Sequence, residues 1–340
     1  MEDILLSGQG TDKGQKRVEL AQAAARVGTA VSIWVGLRLI FILIDVIVTK
    51  RLQAAGVSDS MLQIIDLALS AASVYFIATP IALWALGMFK EGRFKALFAK
   101  SRMSGKEFAA AVPMGYTVTI GVNLIATVVM IIASGSLQQV LDSNPILNMP
   151  KGTLGIALNY VWAVLVAPIF EELLFRGGLV STLKPFGNWF AVLVSAVLFG
   201  FAHGSIAQML YATALGIVLG MVFIKSGSVI PCMLMHFIIN FLGITISSLY
   251  SPERLGLVAI IGLLVIAVLI TGIVLIIVTL VNYKHKLSLG NGCTILTRGE
   301  KISGLFKSAP VILMLLLTVI FLVLVTVPGL MQSITSLIAK

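Results

Sequence analysis

Six polar side chains stand where an otherwise apolar chain carries almost none: Glu171, Glu172, Arg176, His203, His236 and Asn240. The first three fall in Pro168-Ile169-Phe170-Glu171-Glu172-Leu173-Leu174-Phe175-Arg176. An ionisable group inside an apolar run is expensive, which makes it a functional candidate by default. Adjacent helical residues point about 100° apart, so the two carboxylates have different partners. Glu172 and Arg176, at i,i+4, can pair on one face, leaving Glu171 to face a cavity. Repulsion and partial burial would raise one carboxylate toward a general-base range. The competing reading is an interfacial charge cluster that ends the helix.

His203 closes Phe199-Gly200-Phe201-Ala202-His203-Gly204, where small residues allow close approach of another helix or a substrate. Its alternative is a helix-end histidine at headgroup level. His236 and Asn240 are also i,i+4 and share one helix face, with Cys232 one turn earlier. That stripe lines a cavity or supplies interhelical hydrogen bonds worth about 0.6 kcal/mol each; Cys232 by itself reads as packing. Asp45 and Asp66 read as structural, interfacial or paired across the first two spans, and His285 as a solvated loop residue.

A carboxylate, two histidines and an amide suit peptide-bond hydrolysis. The carboxylate takes a proton from water, one histidine positions that water, and a histidine and an amide donate to the developing oxyanion. One glutamate with two histidines is also a zinc-ligand set, so Glu171, His203 and His236 are the candidates should a metal be used; a cofactor is neither required nor excluded. There is no serine in a nucleophile-elbow context and no His-Glu-x-x-His. On residue chemistry alone, a transporter or proton-coupled carrier explains the same side chains equally well, and a non-catalytic immunity or scaffold protein is a third reading.

The elements that must position these residues follow from composition. Of 340 residues, 59% are apolar and 11% charged, with a mean hydropathy of +1.06. A soluble surface this poor in charge would aggregate, which excludes a soluble enzyme, a disulfide scaffold and a disordered tail. The expected fold class is an all-α polytopic membrane protein. Apolar runs long enough to cross a bilayer fall near 27–49, 61–88, 106–134, 152–170, 189–203, 206–224, 228–249, 255–281 and 310–333. That is nine spans, or eight should the short 189–203 run not cross. The net charge of +10 reads as topology and lipid headgroup contact, with no nucleic acid as partner. Nine spans put the basic cluster Lys90–Lys106, Lys184, Lys225, the loop 282–309 and the amino terminus on one side. The positive-inside rule makes that side cytoplasmic and the carboxyl terminus external; Lys50 and Arg51 are the exceptions. The polar first 26 residues carry no cleavable signal pattern.

The organisation expected is therefore an amino-terminal cytoplasmic segment 1–26, three spans over 27–150 with a basic loop 89–106, a catalytic helical core 151–250, and further spans over 251–340 with a polar loop 282–309. Asn291-Gly292 in that loop predicts a small hairpin. Cys232 and Cys293 do not make a disulfide framework.

Glu171-Glu172-x-x-x-Arg176, Phe199-x-x-x-His203 and His236-x-x-x-Asn240 resemble, in order, the three motifs of the CAAX prenyl protease 2 and bacteriocin-processing family of intramembrane proteases. The resemblance covers about residues 150–250. It implies Glu171 as the general base acting with His203, His236 and Asn240 as the oxyanion-stabilising pair, and Glu172 and Arg176 as supports. It implies a multi-pass protein of the cell membrane, in contact with lipids, that cleaves a peptide or protein substrate that is lipid-modified or membrane-associated. Members have been called metalloproteases, while their mechanism resembles metal-independent, glutamate-dependent hydrolysis. Neither the substrate nor the oligomeric state follows from the sequence.

Overall fold

The computed structural model describes residues 2–142, 152–249, 255–290, 295–327 and 330. Ten helices carry the fold: α1 (Glu2–Ala54), α2 (Asp59–Ala85), α3 (Gly105–Ser134), α4 (Thr153–Phe186), α5 (Asn188–Ala202), α6 (Ile206–Ser226), α7 (Ile230–Leu249), α8 (Leu255–Asn282), α9 (Arg298–Phe306) and α10 (Ala309–Thr326). Among the described residues there is no strand. α1, α2, α3, α4, α6, α8 and α10 are long and apolar enough to cross a membrane, and α5 and residues 230–246 of α7 are shorter apolar helices. The protein is an all-α polytopic membrane protein, and each of the nine expected runs falls on a helix.

Local signals set the helix ends. Ser104 and Glu107 form a reciprocal capping box at the start of α3, which closes on Gly135 at φ 69°. Thr297 and Glu300 form a second box at the start of α9. Glycines bring α5 and α6 together at backbone range. A Cβ on Gly216 would lie 2.9 Å from Ala196 Cα, and one on Gly200 would lie 2.6 Å from Met209 O. Gly216 and Gly220 thus form a small-xxx-small face that admits α5 at backbone range.

The loops rich in basic residues gather at one end of the bundle. The Arg102 amide donates to Ser226 O (2.9 Å) and the Val229 amide to Leu97 O (2.9 Å). The Asn188 amide side chain donates to Leu289 O, and Lys13 and Arg17 of α1 meet Glu300 of α9. At the opposite end, Lys50 shares a cavity with Asp45, Asp59 and Asp66.

One expectation is corrected. The Glu171-Glu172 pair does not end a helix: α4 runs on to Phe186, because residues 173–180 are buried on every side and can continue the apolar helix. α1 runs back from its apolar stretch into the polar amino-terminal residues, where it buries Leu20, Ala23 and Ala24. In the 282–309 loop, Lys284–Leu287 form a 3₁₀ turn and Arg298–Phe306 a helix, and the expected hairpin turn falls outside the described residues. Asn291, Gly292 and Cys293 lie outside them.

Candidate active site

The continuation of α4 decides the depth of the site. Glu171 lies roughly fifteen residues before Phe186, and His203 as far beyond Asn188 on the returning α5. Both therefore lie about 22 Å from the α4–α5 turn at 1.5 Å per residue. α7 reaches the same level because its own turn is sunk into the protein. Ser226 and Ser228 are fully buried, and Val229 is tied to Leu97, which packs against Gly177 of α4.

Three widened, π-helical turns surround the site: Ser73–Ala78 in α2, and Tyr160–Val166 and Leu173–Val180 in α4. Such turns concentrate at functional sites, because they displace carbonyls and side chains from the α-helical pattern. The first carries Tyr75, the second carries Ala163, and the third follows directly on the carboxylate pair.

Glu172 and Arg176 pair as expected. Arg176 Nη1 donates to Glu172 Oε1 at 2.8 Å, and both side chains are fully buried. Arg176 Nη2 also donates to Gly216 O at 3.2 Å, and its guanidinium lies 4.5 Å from the centre of the Phe199 ring. Glu172 Oε1 accepts a second bond from His236 Nδ1 at 2.9 Å. This contact makes Nδ1 the protonated nitrogen and fixes the ring, with Nε2 lying 3.9 Å from Glu171 Oε2. Phe199, almost fully buried, separates the groups: its ring meets Phe175 at 5.0 Å, His203 at 4.9 Å and His236 at 5.7 Å, all edge-on.

Glu171 points elsewhere, and Tyr75 Oη donates to its Oε1 at 3.2 Å. Glu171 and His203 line one cavity of about 220 Å³, with Trp34, Arg38, Tyr75 and Trp162 among its other walls. His203 Nδ1 donates to Phe199 O at 2.8 Å, which leaves Nε2 as the acceptor nitrogen. Asn240 Nδ2 donates to Ala163 O at 2.8 Å, in the widened turn of α4.

Glu171 and His203 thus line one cavity, and His236 Nε2 approaches Glu171 Oε2 to 3.9 Å. Asn240 contacts the cavity through Ala163, which lines it. Cys232 is buried and bonds to Leu219 O, packing α7 on α6. His285 is exposed beside Tyr283. Among the described residues, no three His, Cys, Asp or Glu side chains group as metal ligands. Glu171, His203 and His236 therefore do not fit a zinc centre as they stand.

Two cavity residues lie outside the six read from the sequence. Arg38 is a lone cation in the apolar run of α1, a signal of the same kind that marked Glu171. It donates to Ala202 O, satisfying a carbonyl at the C-terminus of α5 beside His203. Tyr75 is uncharged and carried no comparable signal.

Residues 153–242 match the family model described as Type II CAAX prenyl endopeptidase Rce1-like. The match spans the segment carrying all three motifs and agrees with the resemblance they suggested. No curated protein and no solved structure matches the chain.

Proposed function

From the match of residues 153–242 to a family of prenyl-protein endopeptidases, we propose that the chain is an intramembrane protease that hydrolyses a peptide bond of a lipid-modified or membrane-associated substrate. The observation that carries this reading is that Glu171 and His203 line the same cavity within the bundle. A water held between the Glu171 carboxylate and His203 Nε2 gives its proton to Glu171 as its oxygen attacks the substrate carbonyl. His236, oriented through Nδ1 by Glu172, and Asn240 form the pair on the side of the developing oxyanion. Collapse of the tetrahedral intermediate breaks the C–N bond, and Glu171 returns its proton to the departing amine. Asn240 holds the widened turn of α4 through Ala163 O, and Tyr75 holds Glu171. The end of the bundle rich in basic residues faces the cytoplasm of a cell membrane, following the positive-inside rule.

The test is hydrolysis of an S-prenylated peptide by protein in detergent or vesicles. Glu171→Gln and His203→Ala are each expected to reduce turnover by at least about 10²-fold, with the helical circular dichroism retained. Unchanged turnover in either variant would sink the mechanism.

A further inference from the structure

Two helices leave the apolar layer together at the basic end of the bundle. The apolar run of α1 begins near residue 27 and that of α10 at Ala309. A Cβ on Gly28 would lie 2.5 Å from the Pro310 carbonyl carbon, so the two runs start side by side. Beyond them α9 continues along α1. A Cβ on Gly304 would lie 2.7 Å from Leu20 Cδ2, and Lys13 and Arg17 meet Glu300. Between the two helices is a cavity of about 560 Å³, whose walls include Arg17, Leu20, Glu300, Ser303, Lys307 and Ser308. It shares no wall residue with the cavity that holds Glu171 and His203.

The cavity keeps an excess of positive charge. Its one carboxylate, Glu300, is shared by Lys13 and Arg17, and among the described residues no ion pair includes Lys307. The Ser308 hydroxyl oxygen is buried and has no hydrogen-bond partner among the described residues, although Ser308 occupies the N-cap of α10. A phosphate group suits this lining, because its oxygens accept from a guanidinium fork, an ammonium and hydroxyls together. Lys307 and Ser308 stand immediately before the apolar run of α10, at the level where a bilayer holds its headgroups. Phe306, next to them, is 56% exposed; it offers an apolar surface to an acyl chain and nothing to a free phosphate ion. We infer that this cavity binds the phosphate headgroup of an anionic lipid, held between α1 and α9. The inference needs only a membrane protein and stands apart from the proposed hydrolysis.

The full-length protein, immobilised in detergent, is equilibrated with equimolar phosphatidylglycerol and phosphatidylcholine of matched acyl chains, and the retained lipids are extracted and quantified. The anionic lipid is expected to be retained about twentyfold over the zwitterionic one, and Lys307→Gln and Arg17→Gln should each lower that ratio about fivefold. Arg17→Gln also removes a contact with Glu300, whereas Lys307→Gln breaks no ion pair among the described residues and so keeps the test valid should the first variant fail to fold. Lys90→Gln, at the same end of the bundle but outside the cavity, should leave the ratio unchanged. Equal retention of the two lipids by the unsubstituted protein overturns the inference, as does a ratio that survives Lys307→Gln. A loss in Lys90→Gln as large as that in Lys307→Gln would reduce the effect to the general field of the basic end and overturn the site. Excess sodium phosphate should displace the lipid no better than sodium chloride of equal ionic strength; stronger displacement would make free phosphate the ligand and overturn the assignment to lipid.

Discussion

Removing the guanidinium of Arg176 by Arg176→Met breaks three contacts: the 2.8 Å bond to Glu172, the 3.2 Å bond to Gly216 O and the stack on Phe199. What remains is a carboxylate at 0% exposure with only His236 Nδ1 to satisfy it. Breaking a buried pair from one side costs about 3–5 kcal/mol, roughly a hundredfold to several thousandfold in the folding equilibrium. Glu172→Leu strands the guanidinium instead and should cost a similar amount. The double variant leaves no buried charge and is expected to be more stable than either single, with a coupling energy of about 3 kcal/mol. Its catalysis should not recover. His236 loses the acceptor that fixes its ring, and misplacement of a catalytic group by about 1 Å costs on the order of 10²-fold. Reversible unfolding in mixed micelles reads the first quantity, and peptide hydrolysis reads the second. A loss below about 1 kcal/mol for Arg176→Met, the worth of a solvated surface pair, would refute the burial argument. So would strictly additive single variants.

Two further predictions concern packing and the loop end. Gly216→Ala puts a methyl 2.9 Å from Ala196 Cα and should destabilise the α5–α6 contact by about 1–3 kcal/mol; thermal unfolding measures it against Gly121→Ala, where a Cβ meets nothing within 4 Å. Glu300 is held down from 4.5 to about 2, first by Arg17 and then by the Thr297 amide and Lys13. A carboxylate depressed on folding contributes fully above about pH 4.5 and loses that contribution as the pH falls through 2. Hydrogen exchange in residues 12–20 and in α9 should therefore accelerate across that window, and exchange that stays flat would show that the ion pairs do not hold α1 to α9.

The apolar runs made the helix inventory legible, because a chain in lipid must satisfy its backbone within each segment. The i,i+4 rule placed Arg176 on Glu172 and left Glu171 free to face the cavity. What escaped was the end of α4. A charge pair reads as a stop signal unless a partner from another helix absorbs it, and His236 of α7 does so from a distance of 64 residues in sequence. Asn240 was legible one turn from His236, but its partner was not: a backbone carbonyl, Ala163 O, in a widened turn that leaves no mark in hydrophobic periodicity. Arg38 was legible by the same rule as Glu171 but sits in a run that otherwise reads only as a span.

The widened turns of α4 make the active site a matter of residue count as well as residue type. Each holds a spare residue relative to a regular helix. Deleting one residue from the regular stretch Ala167–Phe170 between them, where no spare residue can absorb the loss, would rotate everything beyond it by about 100°. Every side chain from Glu171 to Arg176 would survive chemically, yet Glu171 would swing off the cavity wall and Glu172 away from His236. α4 should consequently accept conservative exchanges on its outward face far more readily than the loss of a single outward-facing residue, so length is inherited there as strictly as any carboxylate.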